Sequence, residues 1–411
     1  MKWSASADKN LKRGILILIG LALLFELIRD VQRDGDFVGY INAGNAVINS
    51  TPIYADYLNT WPPFFSIFSV PLAILDGISP QGIRLLWLLC IVLAWNVIIP
   101  LGNKLFLDNK TQPMLSRQGI ILPEWSVLIP FLFVFRFVID DISNIQINTF
   151  LLLGCLLTIK WYRHGQNAKA GILLGTLIAL KVYPIFLLAF FGYRKAFKLV
   201  GYGLLTVGLT YVLSLMVFGV EQANEYYAHW LEHIAMGETI ITHKNQSLLP
   251  LLTGILSPVS RGLDIQYNIM EITPDLAKRA YYVMVLVVGG LVAMKYWNSS
   301  LRSNSKSVTL FAFMLAAIPI LSPLAWKYYF VFLYPIHVVL YQRVRAKSTH
   351  LFWRVVYFVA LALTIISTDG LIGNYVSDVL EVFGVITIST LLFLTVFAKL
   401  VSGQIEKEVS N

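Results

Sequence analysis

Apolar residues run along this chain in blocks long enough to cross a bilayer, separated by short polar stretches. The clearest blocks begin near Gly14, Gly82, Ile121, Ile147, Phe197, Tyr281, Val308, Tyr328, Leu351 and Val379. A spanning helix needs about 20 mostly apolar residues, so the pattern predicts an all-α polytopic membrane protein with about ten spanning helices. Two further stretches need separate treatment. Residues 62–75 carry Pro62, Pro63 and Pro71, with Pro80 just beyond, and predict a helix lying along or dipping into the outer interface. The stretch "AGILLGTLIALKVYPIFLLAFFGYRKAFK" is interrupted by Lys181 and Pro184. Two half-helices forming a re-entrant pair, or one full span, both suit it.

Charge orients these elements. Lys9, Lys12 and Arg13 precede the first apolar block and place the amino terminus inside. Lys104, Lys110 and Arg117 mark an inner loop. Lys160, Arg163 and Lys169 lie before the Lys181 stretch and Arg194, Lys195 and Lys198 after it. Both ends then face inward, which favours the re-entrant pair; a full span would put Arg194 to Lys198 outside. Downstream, Gly219 to Pro274 falls outside, Arg302 and Lys306 inside, "SPLAWKYY" outside, and Arg343, Arg345 and Lys347 inside. Asp369 and Asp378 are then outside and the tail "EKEVSN" inside. Residues 1–411 read as one integral domain with two outer segments, 29–80 and 219–280, large enough to build a site.

Composition agrees with this layout. The chain of 411 residues is 57% hydrophobic and 13% charged, with a mean hydropathy of +0.69. The net charge of +9 does not point to nucleic acid, because the bases cluster in short loops between apolar blocks. Cys90 and Cys155 both fall within apolar blocks and supply neither a disulfide framework nor a metal cluster. No small-residue cleavage site follows the first block, which is expected to stay as a helix.

The polar segment "RDGDFVGYINAGNAVINSTPIYADYLNTWPPF", Arg33 to Phe64, follows the first helix directly. With it on the outer face lie Asp140-Asp141, Gln146 and Asn148, His229 and His233, His243 with Asn245-Gln246-Ser247, and Trp326-Lys327-Tyr328-Tyr329. Asp36 and, two residues away, Asp34 are candidate proton acceptors. Lys181, a cation in apolar surroundings, is either functional or snorkels to an interface. Lys327, between a tryptophan and two tyrosines, is suited to neutralising a leaving phosphate or to anchoring an aromatic belt. His229 and His233, spaced i, i+4, share a helix face without a third ligand and predict an amphipathic helix rather than zinc. Asp140-Asp141 could take a divalent cation, but Arg136 one turn earlier predicts a salt-bridged helix end. Tyr40, Tyr54, Tyr57 and Trp61 have faces suited to stacking on sugars.

The order of these motifs resembles family eighty-seven of the C-type (GT-C) glycosyltransferase superfamily, which includes the mycobacterial α-1,2-mannosyltransferase of phosphatidylinositol mannosides. The resemblance rests on Asp36, Phe37, Tyr40, Tyr54, Trp61-Pro62-Pro63 and Pro71, then "IQIN", "AGILLGTLIALKVYP", "NQSL" and "LSPLAW". The chain departs from the family where Ile145 replaces a usual Gly, and where Lys327 replaces a usual His. The resemblance implies a GT-C-like helical bundle in the cytoplasmic membrane with its site on the extracytoplasmic face. It implies an inverting transfer of a hexose, mannose above all, from a polyprenyl-phosphate sugar to a glycolipid or glycan acceptor. Asp36 would be the base. Tyr40, Trp61, Gln146, Lys181, His243, Asn245, Gln246, Trp326 and Lys327 would bind substrate; no cofactor is implied, and a divalent cation, which some C-type glycosyltransferases use, is not indicated by the residues. The rival reading, a transporter or flippase of lipid-linked glycans, calls for internal repeats and paired charges at the membrane midplane, neither of which the sequence displays.

Overall fold

The structure, a computed structural model, describes residues 5–56, 59–108, 115–116, 119–235, 241–296 and 304–409. Tyr57, Lys110, Arg117 and Arg302 lie outside the described residues. The chain is built from α-helices, and the one sheet among the described residues is a two-residue pairing, Leu115 with Ile120 and Ser116 with Gly119. The first half contains α1 (Ala5–Asp30), α2 (Phe37–Ile48), α3 (Pro63–Ile78), α4 (Pro80–Leu107), α5 (Trp125–Ser143), α6 (Asn148–Arg163), α7 (Asn167–Leu180), α8 (Phe186–Tyr193) and α9 (Phe197–Phe218). The second half contains α10 (Val220–His229), α11 (Leu248–Leu256), α12 (Pro274–Tyr296), α13 (Asn304–Leu321), α14 (Tyr334–Arg345), α15 (Leu351–Ile366), α16 (Asp369–Ile372), α17 (Asn374–Val382) and α18 (Val385–Val409).

By length and apolar composition α4 and α9 are each able to cross a bilayer, and α17 with α18 as far as Leu400 forms a third candidate, bent by 57°. Those are fewer than the spans expected from the apolar blocks. Several of the blocks fold as shorter apolar helices, among them α7, α15 and the Val308–Leu321 part of α13. Others carry charge near an end, as α5 does with Asp140 and Asp141. Short and broken helices suffice within a bundle because neighbouring helices cover their backbone ends.

Contacts between helix ends define two levels in the bundle. At one level, Arg29 at the end of α1 bonds Ser143 at the end of α5, Arg84 at the start of α4 pairs with Asp34 at 2.7 Å, and Trp87 donates to the Gln146 carbonyl. At the opposite level, Trp125 bonds Asp8 at 2.6 Å, Arg163 reaches the Leu105 carbonyl, and the Arg194 guanidinium lies 5.9 Å from the Tyr162 ring centre. Lys12, Lys104, Arg163 and Arg194 therefore share one end of the bundle.

The Lys181 stretch runs in and back. Gly171 of α7 lies against the Leu199 carbonyl of α9, and Gly175 against the Gly203 carbonyl. The two helices thus run parallel, starting at the same level. The chain returns between them through a break at Lys181, a 3₁₀ turn at Tyr183–Ile185, and α8, whose Leu188 faces Gly203. Such a path brings Lys169 and Arg194 to one end and Lys181 to the other. The sequence Gly171-Ile-Leu-Leu-Gly175 is a small-xxx-small pattern, which lets two backbones approach closely without a hydrophobic drive between helices.

A Cβ on Gly175 would overlap the Gly203 carbonyl and the Thr206 side chain. Gly175→Val should therefore push α7 off α9 and cost about 1–3 kcal/mol, as overpacking does. Thermal unfolding in detergent checks this, and Gly208→Val, on the same α9 with nothing within 4 Å of its Cβ, should stay close to wild type.

Candidate active site

The break after α7, the α5–α6 turn, the start of α2 and the stretch 324–329 converge on one cavity of about 470 Å³. Asp36 is one of the residues that line it. It is the residue before α2 and is half-buried. Its Oδ2 accepts from Gln146 Nε2 at 2.5 Å and from the Tyr328 hydroxyl at 3.1 Å. Its Oδ1 has no hydrogen-bond partner among the described residues and is not sealed from solvent. One oxygen is anchored by two donors while the other faces the cavity. Asp34, the alternative base, is exposed and paired with Arg84, outside the cavity lining.

Gln146 is aimed by the turn before α6. Ile145 there has φ +50, although it is β-branched and fully buried. A β-branched residue in the left-handed region is a strained outlier. This is the position where the resemblance calls for glycine, and the backbone conformation supplies the reason. The Gln146 amide then bridges two groups: Nε2 donates to Asp36 while Oε1 accepts from Tyr40 at 3.0 Å and from Lys181 Nζ at 3.5 Å.

Lys181 is buried, extended in backbone (φ −154, ψ 112), and caps the broken end of α7. Its ammonium donates to Asn148 Oδ1 at 3.3 Å and sits 4.5 Å from the Tyr329 ring centre. Within 4 Å of it there is no carboxylate among the described residues. The nearest compensation is relayed: Asn148 accepts from Lys181 and donates to Asp141 Oδ1 at 3.0 Å. Asp141 is fully buried and also takes the backbone N–H and hydroxyl of Thr149. Among the described residues Asp141 is thus committed to the α6 start and does not line the cavity.

Lys327 also lines the cavity, but its charge is spent. It lies 2.5 Å from Glu381 Oε1 and 3.2 Å from Asp369. Glu381 is fully buried and lies 3.5 Å from Lys244, which also bonds Asp378. Burial alone would raise the Asp369 carboxyl, yet the Ser377 hydroxyl and the Lys327 ammonium hold it below the ordinary carboxylate value. His243, Asp378 and Glu381 have ligand atoms within 4.8 Å of one another, but the Lys244 ammonium already provides the positive charge between the two carboxylates. Arg136 does not bridge to Asp140. It donates instead to the Ser367 hydroxyl and carbonyl at the end of α15, so the expected salt-bridged end of α5 is absent among the described residues.

Asp36, Trp61, Gln146, Lys181, Trp326 and Lys327 therefore line the cavity as a group, and the other expected binding residues lie elsewhere. Tyr40 is fully buried behind Gln146, edge-on to Trp61 at 4.7 Å. Asn245 is buried and bonds the Pro323 carbonyl and the N–H groups of Ser247 and Ala325. Gln246 is buried and bonds the His243 and Glu381 carbonyls. These two hold the 243–247 turn against the stretch at 323–325, a packing role that polar residues at an expected interface hide in a sequence. His243 packs on Gly262, whose φ is +133. His229 and His233 are exposed and stacked at 4.6 Å, and Tyr54 stacks on His229 rather than facing the cavity. Asp140, Asn144, Lys244, Tyr328 and Tyr329 line the cavity as well. Of these, Tyr328 and Tyr329 adjoin Lys327, Lys244 lies between His243 and Asn245, and Asn144 lies two residues before Gln146.

The sequence model of glycosyltransferase family 87 matches residues 59–325, more than half of the chain. The chain belongs to glycosyltransferase family 87. No curated protein and no solved structure is similar enough to match. The family match spans Trp61, Gln146 and Lys181 of the cavity, while Asp36 precedes it and Trp326 and Lys327 follow it. It makes the chain a glycosyltransferase and leaves the roles of single residues to geometry.

The ion pairs of Lys327 with Glu381 and Asp369 predict a contribution to stability. Lys327→Met removes the nearest cation from a fully buried carboxylate and should cost on the order of 3 kcal/mol in unfolding free energy. Lys327→Met/Glu381→Gln should recover most of that loss. Thermal melts of both variants check it; a fully stable Lys327→Met single variant would contradict it.

Proposed function

We propose that the protein transfers a hexose, mannose in the first instance, from a polyprenyl-phosphate sugar to a hydroxyl of a glycolipid or glycan, with inversion, at the outer face of the cytoplasmic membrane. One observation carries the reading: a carboxylate anchored through a single oxygen shares a cavity with a buried ammonium that has no carboxylate partner within ion-pair reach. A glycosyl transfer needs both a proton acceptor and a cation for the departing phosphate. The free Oδ1 of Asp36 takes the proton of the acceptor hydroxyl as its oxygen attacks the anomeric carbon. The bond from that carbon to the phosphate oxygen breaks, and its electron pair leaves with the polyprenyl phosphate. Lys181 lies where the charge of that phosphate would develop.

A single unpaired ammonium matches a single phosphate, and the reading calls on no cofactor. Lys327 is the other cation that the sequence suggests for this task, but it is already paired with Glu381 and Asp369. Gln146 and Tyr328 hold Asp36 in place, and Gln146 also spaces it from Lys181. The lipid-linked donor accords with the location: nucleotide sugars are not expected outside the cytoplasmic membrane, and the in-and-back segment that carries Lys181 lies among apolar helices.

Asp36→Asn keeps size and hydrogen bonding but cannot accept a proton at neutral pH. It should lower transfer from polyprenyl-phosphate mannose by 10²- to 10⁴-fold while leaving polyprenyl-phosphate binding intact, as loss of a general base does. Asp34→Asn, at an exposed surface pair, should behave as wild type. Transfer near the wild-type rate by Asp36→Asn would end this mechanism. The membrane side is tested separately by cysteine labelling of intact cells in a Cys90→Ser background. Asp34→Cys should react with an impermeant reagent and Lys195→Cys should not.

A further inference from the structure

The cavity contains a second carboxylate that the transfer chemistry does not use. Asp140 and Asn144 occupy the last turn of α5 at i, i+4 and both line the cavity. The Asp140 carboxylate has no hydrogen bond, and no ion pair within 4 Å, among the described residues. The cations whose fields reach it are engaged elsewhere, Arg136 at the end of α15 and Lys327 with Glu381 and Asp369. Asn144 donates Nδ2 to the Asp140 carbonyl at 2.8 Å, which fixes its amide and leaves Oδ1 directed away from that bond. Trp326 and Trp61 stand on the walls of the same cavity.

We propose that Asp140 and Asn144 form a hydroxyl-reading subsite for the acceptor, whose chemical class is a sugar or cyclitol ring carrying neighbouring hydroxyls. The two oxygens of a carboxylate accept from two adjacent hydroxyls at once, and charge-assisted bonds of this kind are about twice as strong as neutral ones. An indole face covers the apolar face of the ring. Position assigns the pair to the acceptor and not to the donor. A chain of contacts orders the cavity from Lys181 through Gln146 to Asp36, then from the Asp36 N–H to the Asn144 carbonyl at 3.3 Å, and on to Asp140. The phosphate end is Lys181, so the hydroxyl that Asp36 deprotonates approaches from the Asp140 end. An unpartnered carboxylate is costly to keep in a half-enclosed site unless a ligand satisfies it, because desolvation removes its water without replacing it. The inference rests on the cavity being a glycosyl-transfer site.

The test is binding without turnover. Full-length protein in a detergent without sugar groups is titrated with octyl α-D-mannopyranoside, following quenching of tryptophan fluorescence, and separately with polyprenyl phosphate. Wild type should bind the glycoside saturably. Asp140→Ala should weaken that binding tenfold or more, Asp140→Asn and Asn144→Ala by less, and all three should keep polyprenyl-phosphate affinity and melting temperature. Glycoside binding unchanged in Asp140→Ala would overturn the proposal. So would a wild type that binds no octyl glycoside, or an Asp140→Ala variant that loses polyprenyl phosphate in step. If the variants behave as expected but Asp36→Asn still transfers sugar, the mechanism fails and the subsite stands.

Discussion

A lysine ammonium sits at the broken end of a helix, beside two amide oxygens and a tyrosine face, with its nearest carboxylate compensation one residue removed. Burying a charge this way costs several kcal/mol unless the surroundings are built for it. Much of the structure around Lys181 is that construction. The close contact of Gly171 and Gly175 with α9 sets the level at which α7 ends. Asn148 is fixed by Asp141 so that its oxygen can face the ammonium, and it takes the Tyr183 hydroxyl at 2.7 Å as well. Gln146, aimed by the left-handed Ile145, completes the shell and ties it to Asp36.

The two cavity lysines show why burial and pairing must be read together. Lys181 and Lys327 are both lysines within largely apolar stretches of the sequence. In the fold, Lys327 joins Asp369, Asp378, Glu381 and Lys244 in a closed ionic group on the α16–α17 side of the cavity. With two ammoniums against three carboxylates, the group leaves neither lysine unpaired and ties α16 and α17 to the 324–329 stretch. Lys181 has no carboxylate within 4 Å among the described residues, which is what the proposed phosphate contact rests on. The same logic separates Asp36, with one oxygen open, from Asp34, neutralised by Arg84 at the surface.

Much of this was legible in the sequence. Apolar blocks gave the helical class, and the basic flanks of the Lys181 stretch gave its return path. Asp36, Trp61, Gln146, Lys181 and Trp326 were recognisable from motif order alone. The number of helices able to cross a bilayer by themselves was not, because hydropathy cannot see where a bundle lets a helix stop short. Nor were the fates of Asn245 and Gln246. Polar residues next to a conspicuous motif look like ligands, yet buried turns need their carbonyls and N–H groups satisfied, and these side chains do that work. Asp140 was misjudged for the opposite reason. A nearby Arg at helical spacing suggests a pair, but Arg136 bonds the buried Ser367 at the end of α15 instead.

The most direct measurement of the central claim is the affinity of polyprenyl phosphate for two variants that each remove one cavity cation without leaving a buried charge exposed to repulsion. These are Lys181→Met and the double variant Lys327→Met/Glu381→Gln, titrated as full-length proteins in detergent. The account predicts a loss of about tenfold or more for Lys181→Met, as for a lost charge-assisted contact to phosphate, and near wild-type affinity for the double variant. Unchanged affinity in Lys181→Met, with a loss in the double variant, would contradict it and return the phosphate to Lys327.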